Sequence, residues 1–262
     1  MESDIFVHAK GVFDRIESLN FCGISGVKVY DSGKPGPTIG FLAMIHGNEP
    51  CGLAAFEFLE SQTNFRQGKV IFAIGNIHAA RKYFDEPDQD KRFLYRYLDN
   101  NLNRVPRDFK PTTPELIRFQ QLKKLFSSTS VVFDFHSTSL PRGKMLIPNS
   151  LLGSAPDLMV DYIICGIMRL MRCNTFVEHL SWKSVQGAVV ECGVHEFVST
   201  WKFVSNSTSK ILTHYNILDS SDTNDLSNEV KVIPQFIEVV NSVWFPKDSY
   251  QMVKDFNNFE PV

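Results

Sequence analysis

The chain has 262 residues, 43% apolar and 21% charged, with a formal net charge of −2, which suits one large domain with a sizeable core, or one domain with a smaller appendage. The balanced charge, with no long run of one sign, argues against nucleic acid or a membrane surface as partner. No apolar stretch approaches a membrane span, and the acidic start Met1-Glu2-Ser3-Asp4 lacks the basic-then-apolar pattern of a signal peptide.

Five widely spaced cysteines without a Cys-x-x-Cys pair point to reduced thiols in a cytoplasmic protein. The 22 phenylalanines suggest aromatic core packing. Residues 1 to about 20 read as helix or strand, with no decision between them. Ile24 to Tyr30 alternates as a strand does, and the turn cluster Asp31 to Pro37 follows. Thr38 to Ile45 is almost wholly apolar, as in a strand covered on both faces. From Pro50 the periodicity becomes helical, with Leu53, Ala54, Phe56, Phe58 and Leu59 on one broad face and Pro50 in the first turn. Gly68 introduces a second buried strand, Lys69 to Ile74.

Residues 77 to 112 are the least regular part, and a long loop inside an α/β domain is more often functional than decorative. Thr113-Pro114-Glu115 marks a helix start, with Thr as cap, Pro in the first turn and an acid beside it; the helix is predicted to run to about Ser127. Val131 to Phe135 is a third buried strand. Asp157 to Arg172 is predicted helical, Ala188 to Val190 is a short strand ending at Glu191, and 197 to 216 is predicted helical. Ser220 to Asn228 reads as polar linker, and Val239 to Phe245 as the beginning of β-like structure. The expected fold is α/β, a mostly parallel central sheet flanked by helices. Residues 1–232 would form the catalytic domain, and 233–262 the start of an abbreviated C-terminal β segment.

Ligands of such sheets collect beyond the carboxyl ends of the strands. His46, His136 and Glu191 each follow an apolar run, so the fold brings them to one edge. Glu49 lies three residues after His46, where the chain turns. His46, Glu49 and His136 together make a His2Glu set that leaves a fourth position for water, the pattern of a catalytic zinc site. One Zn2+ per chain is expected, lowering the pKa of its water towards about 7 and polarising a carbonyl. His8, His78, His179, His195 and His214 lack partner spacing and are expected to be structural or exposed, although His195 is close enough to Glu191 to line the pocket. Cys51 and Cys192 are expected to be small apolar neighbours.

In order and spacing, His46-Gly47-Asn48-Glu49, Asn101-Leu102-Asn103-Arg104, Asp134-Phe135-His136 and Val190-Glu191-Cys192-Gly193 resemble the succinylglutamate desuccinylase/aspartoacylase family, a branch of the zinc carboxypeptidase-like fold. Gly75-Asn76 and the closing Asn258 to Val262 also resemble it. The resemblance covers most of residues 38 to 262. It implies that His46, Glu49 and His136 hold zinc and that Glu191 is the general base on zinc-bound water, then the acid to the leaving amine. It further implies that Arg96 helps hold the developing oxyanion, and that Asn103 and Arg104 grip a substrate carboxylate. Asp134 either orients a ligand histidine or makes a buried structural bond.

Three departures stand out. The usual Asp-Leu-Asn-Arg begins with Asn101, so a supporting carboxylate has become neutral. Ser181 stands where aspartoacylases carry a substrate-binding arginine; Lys183 and Arg142 are alternative cations. The C-terminal β domain usual in the family is expected only to begin before this sequence ends, as a remnant or through truncation, and either would leave a more open site. The resulting expectation is a zinc-dependent amidohydrolase that removes a succinyl or acetyl group from a small N-acyl amino acid, with self-association left open. The alternatives are a carboxypeptidase-like hydrolase of small amides or peptides, and a non-catalytic zinc-binding relative.

Overall fold

The computed structural model describes residues 2–149, 152–153, 155–170, 175–219 and 233–239. In chain order its elements are α1 (Glu2–Glu17), β1 (Asn20–Phe21), β2 (Ile24–Ser25), β3 (Val27–Asp31), β4 (Thr38–Ala43), α2 (Leu53–Ser61), β5 (Lys69–Ile74) and α3 (Ile77–Asp85). There follow α4 (Pro114–Phe126), β6 (Val131–Thr138), β7 (Met145–Pro148), β8 (Tyr162–Cys165), α5 (Ile167–Leu170), α6 (Phe176–Ser181), β9 (Gln186–Val194), α7 (Val198–His214) and β10 (Gln235–Glu238). Short 3-10 segments occupy Pro50–Gly52 and Gln89–Arg96.

Eight strands form one sheet in the order β10-β8-β7-β9-β6-β4-β5-β3. Only β7 with β9 and β3 with β5 pair antiparallel; the other neighbours are parallel. The centre of the sheet is apolar on both faces, and side chains alternate across it. Phe41, Phe133 and Phe135 pack with Phe13 of α1, Phe56 of α2 and Val204 of α7. Leu42 and Val132 face the other way, onto Phe119 and Phe126 of α4 and Phe176 of α6. Gly40 permits close approach there, since a Cβ would meet the Phe126 ring and Val132 Cγ2 at 2.8 Å. This three-layer packing makes the ends of β4, β6 and β9 rigid.

The structure decides one open reading and revises three expectations. Residues 2–17 are helical. Ile24 to Tyr30 divides into β2 and β3 at Gly26, whose φ of +65° turns the chain. The stretch from Asp157 is not one helix: Met159 at φ +56° and Gly166 at φ +83° break it, and the β-favouring run Tyr162-Ile163-Ile164 forms β8 beside β7. Its apolar spacing fitted either periodicity; Arg172 itself lies outside the described residues. Glu191 is also not at a strand end, because β9 continues to Val194, carried past His136 by an irregularity in its pairing with β6.

The start and course of α4 agree with the sequence reading, and Thr113 Oγ1 accepts from Leu116 N at 3.3 Å. Part of 77–112 is more regular than expected: α3 buries Ile77, Ala80, Tyr83 and Phe84 on one face. The strand β10 pairs with β8 in the main sheet. The readings over 220–228 and 240–262 lie outside the described residues. Among the described residues, no helix is long and apolar enough to cross a membrane.

Candidate metal centre and active site

Beyond Ala43 the chain leaves β4 through Met44, a buried residue at φ +53°, a conformation rare for residues other than glycine. The turn that follows carries His46 and Glu49 into the gap beside the end of β6. Gly47 allows this, since a Cβ there would lie 2.5 Å from the backbone of Ala79 and of Tyr95. Its N–H donates to Arg96 O at 2.9 Å, which ties the arginine-bearing segment to the turn.

His46, Glu49 and His136 converge. His46 Nδ1 lies 2.9 Å from Glu49 Oε1, and His136 Nδ1 lies 2.9 Å from Glu49 Oε2. All three residues are 2% exposed. The outer nitrogens are also held: His46 Nε2 bonds Asn101 Oδ1 at 3.2 Å, and His136 Nε2 bonds Asp134 Oδ2 at 3.0 Å. Asp134 therefore orients His136, a candidate ligand. Each imidazole has an outer acceptor for an Nε2 proton, so that a metal in place of the Nδ1 contacts with Glu49 would meet the Nδ1 lone pairs, the arrangement of metal-ligating histidines. Ser137 N also donates to Glu49 Oε2, at 3.2 Å.

The donor set fits a zinc ion. One atom from each residue lies within 4.8 Å of the others, whereas tetrahedral zinc bonds of about 2.0–2.1 Å require donors roughly 3.3 Å apart. The two Nδ1 to Glu49 contacts of 2.9 Å would open slightly around such an ion. The charges are organised for a cation as well. Burial opposes ionisation of Glu49, but His46 and His136 overcome it and hold the carboxyl well below its usual range. Burial likewise opposes charging of His136, and Asp134 and Glu49 outweigh it, so its pKa is raised. His46, which faces the neutral Asn101, is pushed down by burial.

Glu191 stands opposite His136 in the pairing of β9 with β6. Its Oε2 is buried and lacks a hydrogen-bond partner among the described residues. Burial, reinforced by Glu49 and Asp134 and opposed by His136 and Arg96, pushes the carboxyl up to about 7. A half-buried carboxylate with one enclosed, unpartnered oxygen and a pKa near neutrality is suited to moving a proton.

The remaining candidates divide. Arg96 reaches the cluster, and its guanidinium pairs with Glu49 Oε1 while staying 41% exposed. Asn103 is buried, and its Oδ1 accepts from Phe176 N at 3.0 Å at the start of α6. Arg104 is exposed, with Nη1 donating to Asn103 O at 2.5 Å. Arg142 is exposed beside a cavity of about 190 Å³ also lined by Lys144, Asp161 and Cys192. Lys183 is not brought to this edge. It precedes Gln186, the start of β9, while Glu191 lies five residues along the strand, roughly 16 Å away at about 3.3 Å per residue. It lies instead near Lys123, whose pKa its charge helps to lower after the larger effect of burial. Cys51 and Cys192 are buried, and burial pushes the Cys192 thiol well up.

Two contacts went unread in the sequence, although the sequence already sets His195 near the pocket. His195 Nδ1 lies 2.7 Å from Ser137 Oγ, one residue from a metal-ligand candidate, and burial lowers its pKa. Glu115 was legible as a helix-start acid, but not as the carboxylate that holds the backbone of residues 98–100. Irregular backbone lies between these partners, so no periodicity could announce the contact.

Comparison with known proteins follows the same lines. A family model described as the succinylglutamate desuccinylase/aspartoacylase catalytic domain matches residues 35–164, a span that includes His46, Glu49, Arg96, Asn103, Arg104 and His136 and stops before Glu191. Among solved structures, succinylglutamate desuccinylase/aspartoacylase from Rhodobacter sphaeroides aligns with a TM-score of 0.61 at 15% identity, over 81% of this chain and 65% of that one. The succinylglutamate desuccinylase from Chromobacterium violaceum aligns with a TM-score of 0.56 at 15% identity, over 80% and 78%. The product-bound ectoine utilization protein EutE (DoeB) from Ruegeria pomeroyi gives 0.58 at 16%, over 81% and 64%. At these identities the likeness establishes the fold, and the chain spans a little under two thirds of the Rhodobacter and Ruegeria proteins. No curated protein sequence matches the chain.

Proposed function

We propose that this chain, which belongs to the succinylglutamate desuccinylase/aspartoacylase family, is a zinc-dependent amidohydrolase that releases an acyl group, succinyl or acetyl, from a small N-acyl amino acid. The observation that carries the reading is the convergence of His46 Nδ1 and His136 Nδ1 on the two oxygens of Glu49, beside the unpartnered carboxylate oxygen of Glu191. A cytoplasmic setting belongs to the proposal, supported by the free thiols of Cys22, Cys51, Cys165 and Cys192.

In this reading His46, Glu49 and His136 hold the zinc, which when bound supplies Lewis acidity that acidifies water and polarises the acyl carbonyl. Glu191 takes a proton from the attacking water and passes it to the amide nitrogen as the C–N bond breaks, so one water is consumed and a carboxylate and an amine leave. Burial raises its carboxyl to about 7 in the metal-free chain, which favours proton exchange near neutral pH. Arg96, held at the edge of the cluster by Glu49, places a guanidinium where negative charge develops on the carbonyl oxygen. Asn103 and Arg104, with Arg142 as a further cation, receive the substrate carboxylate.

A panel of N-acetyl and N-succinyl amino acids and short peptides tests the proposal. Turnover of an N-acyl amino acid that disappears in Glu191→Ala is the expected result. Turnover confined to peptides would move the protein to carboxypeptidase-like chemistry, and bound zinc without turnover of any member would make it a non-catalytic relative.

A further inference from the structure

We infer that Glu115 is a positioning residue that, through the loop 98–104, sets the metal-ligating tautomer of His46. This rests on the reading of His46 as a zinc ligand. Glu115 lies in the first turn of α4 and is 1% exposed. Its Oε1 accepts from Leu98 N at 2.8 Å and from Asn76 Nδ2 at 2.5 Å. Its Oε2 accepts from Asp99 N at 2.8 Å and from Asn100 N. Three successive backbone N–H groups pointing at one carboxylate form the concavity that elsewhere binds a free anion. Here the chain fills it with its own side chain. Thr113 Oγ1 adds a bond to Asn100 Oδ1 at 2.6 Å, so the N-terminus of α4 holds this end of the loop by two side chains.

The next residue reaches the metal centre. Asn101 Oδ1 accepts from Asn103 N at 2.9 Å and lies 3.2 Å from His46 Nε2. Because a backbone N–H can only donate, the atom of Asn101 facing both partners is its oxygen. His46 Nδ1 also lies 2.9 Å from Glu49 Oε1, so the two acceptors compete for the imidazole proton; a metal at Nδ1 would leave that proton on Nε2, where Asn101 Oδ1 accepts it. Asn103 Oδ1 fastens the far end of the loop to Phe176 N. Asn101 is thus held between two anchors, and Glu115 is the charged one. Glutamine would fit the space, but it offers a single oxygen and sets an NH2 against the loop's N–H groups.

The test uses the full chain, with zinc itself as probe. Zinc affinity is measured by competition with a chromophoric chelator in wild type and in Glu115→Gln, alongside thermal melting and amide hydrogen exchange. The expected result is protection of the Leu98, Asp99 and Asn100 amides in wild type. Loss of that protection and about tenfold weaker zinc binding are expected in folded Glu115→Gln, at the lower end of what outer partners of metal ligands contribute. A merely structural role would lower the melting temperature and leave the zinc affinity of the folded protein unchanged; that result would overturn the inference. If Glu115→Gln does not fold, wild-type exchange and Asn101→Ala decide: unprotected 98–100 amides, or wild-type zinc affinity in Asn101→Ala, also overturn it. Wild type that binds no zinc would remove the functional proposal with it, whereas zinc binding indifferent to both substitutions removes this inference alone.

Discussion

His136 and Glu191 face each other across β6 and β9, paired in register on two parallel strands. Paired residues of a sheet share a face, so the candidate ligand and the candidate base emerge side by side. Asp134, two residues before His136, lies on that face too and takes the histidine's outer nitrogen. One strand pair thereby supplies the candidate ligand, the carboxylate that orients it and the candidate proton carrier without any loop to place them.

Glu191→Gln keeps the shape of the side chain and removes its capacity to take a proton. The expected outcome is a fall in kcat of about 10²–10⁴, with zinc affinity within a few-fold of wild type. Steady-state kinetics and chelator competition check the two halves separately. A parallel loss of zinc would make Glu191 a ligand instead.

The two histidines are held unequally, His136 by the carboxylate of Asp134 and His46 by the neutral amide of Asn101. A carboxylate acceptor makes the imidazole a stronger ligand. Asn101→Asp is expected to tighten zinc several-fold, and Asp134→Asn to weaken it by about 10–100-fold. Chelator competition at fixed pH measures both.

Gly47→Ala is expected to destabilise the chain by about 1–3 kcal/mol and to displace Arg96. The new Cβ would press on the backbone of Ala79 and Tyr95 at 2.5 Å, and backbone cannot rotate away. Urea denaturation gives the first effect. A reduced kcat, measured under conditions where the variant is folded, gives the second.

His179 is fully buried, with Nε2 donating to Val105 O at 2.9 Å and the Phe119 ring edge-on at 4.8 Å. Burial, aided by Lys123 and Arg107 against the Val105 carbonyl, pushes its pKa down to about 4. A histidine depressed on folding contributes fully above its unfolded value of about 6.5 and loses that contribution as pH falls towards 4. Stability should therefore drop between pH 7 and pH 5, and His179→Gln, which keeps a donor for Val105, should flatten that slope. Urea unfolding at the two pH values checks it.

Much of this was legible in the sequence because local rules dominated. The unbroken apolar runs at Thr38 to Ala43, Lys69 to Ile74 and Val131 to Phe135 could only be buried strands. Thr113-Pro114 could hardly be other than a helix start. The histidines were visible because each closed such a run. Asp157 to Arg172 was misread because its apolar spacing satisfied two periodicities and only tertiary pairing with β7 chose between them. Lys183 was offered as a cation because it stands two residues from Ser181, the place of the family's arginine, but it precedes β9 and the strand carries Glu191 away from it. The hold of Asn101 on His46 spans 55 residues and that of Glu115 on its loop 15 to 17, distances over which sequence pattern carries no signal.

The central claim is that His46, Glu49 and His136 hold a zinc ion that the reaction requires. Its most direct test is the metal content of the purified chain, determined by mass spectrometry together with the hydrolysis rate of the same sample. One zinc per chain is predicted, with activity lost on chelation and restored by added zinc. Metal-free protein that hydrolyses N-acyl amino acids at the undiminished rate would contradict the account.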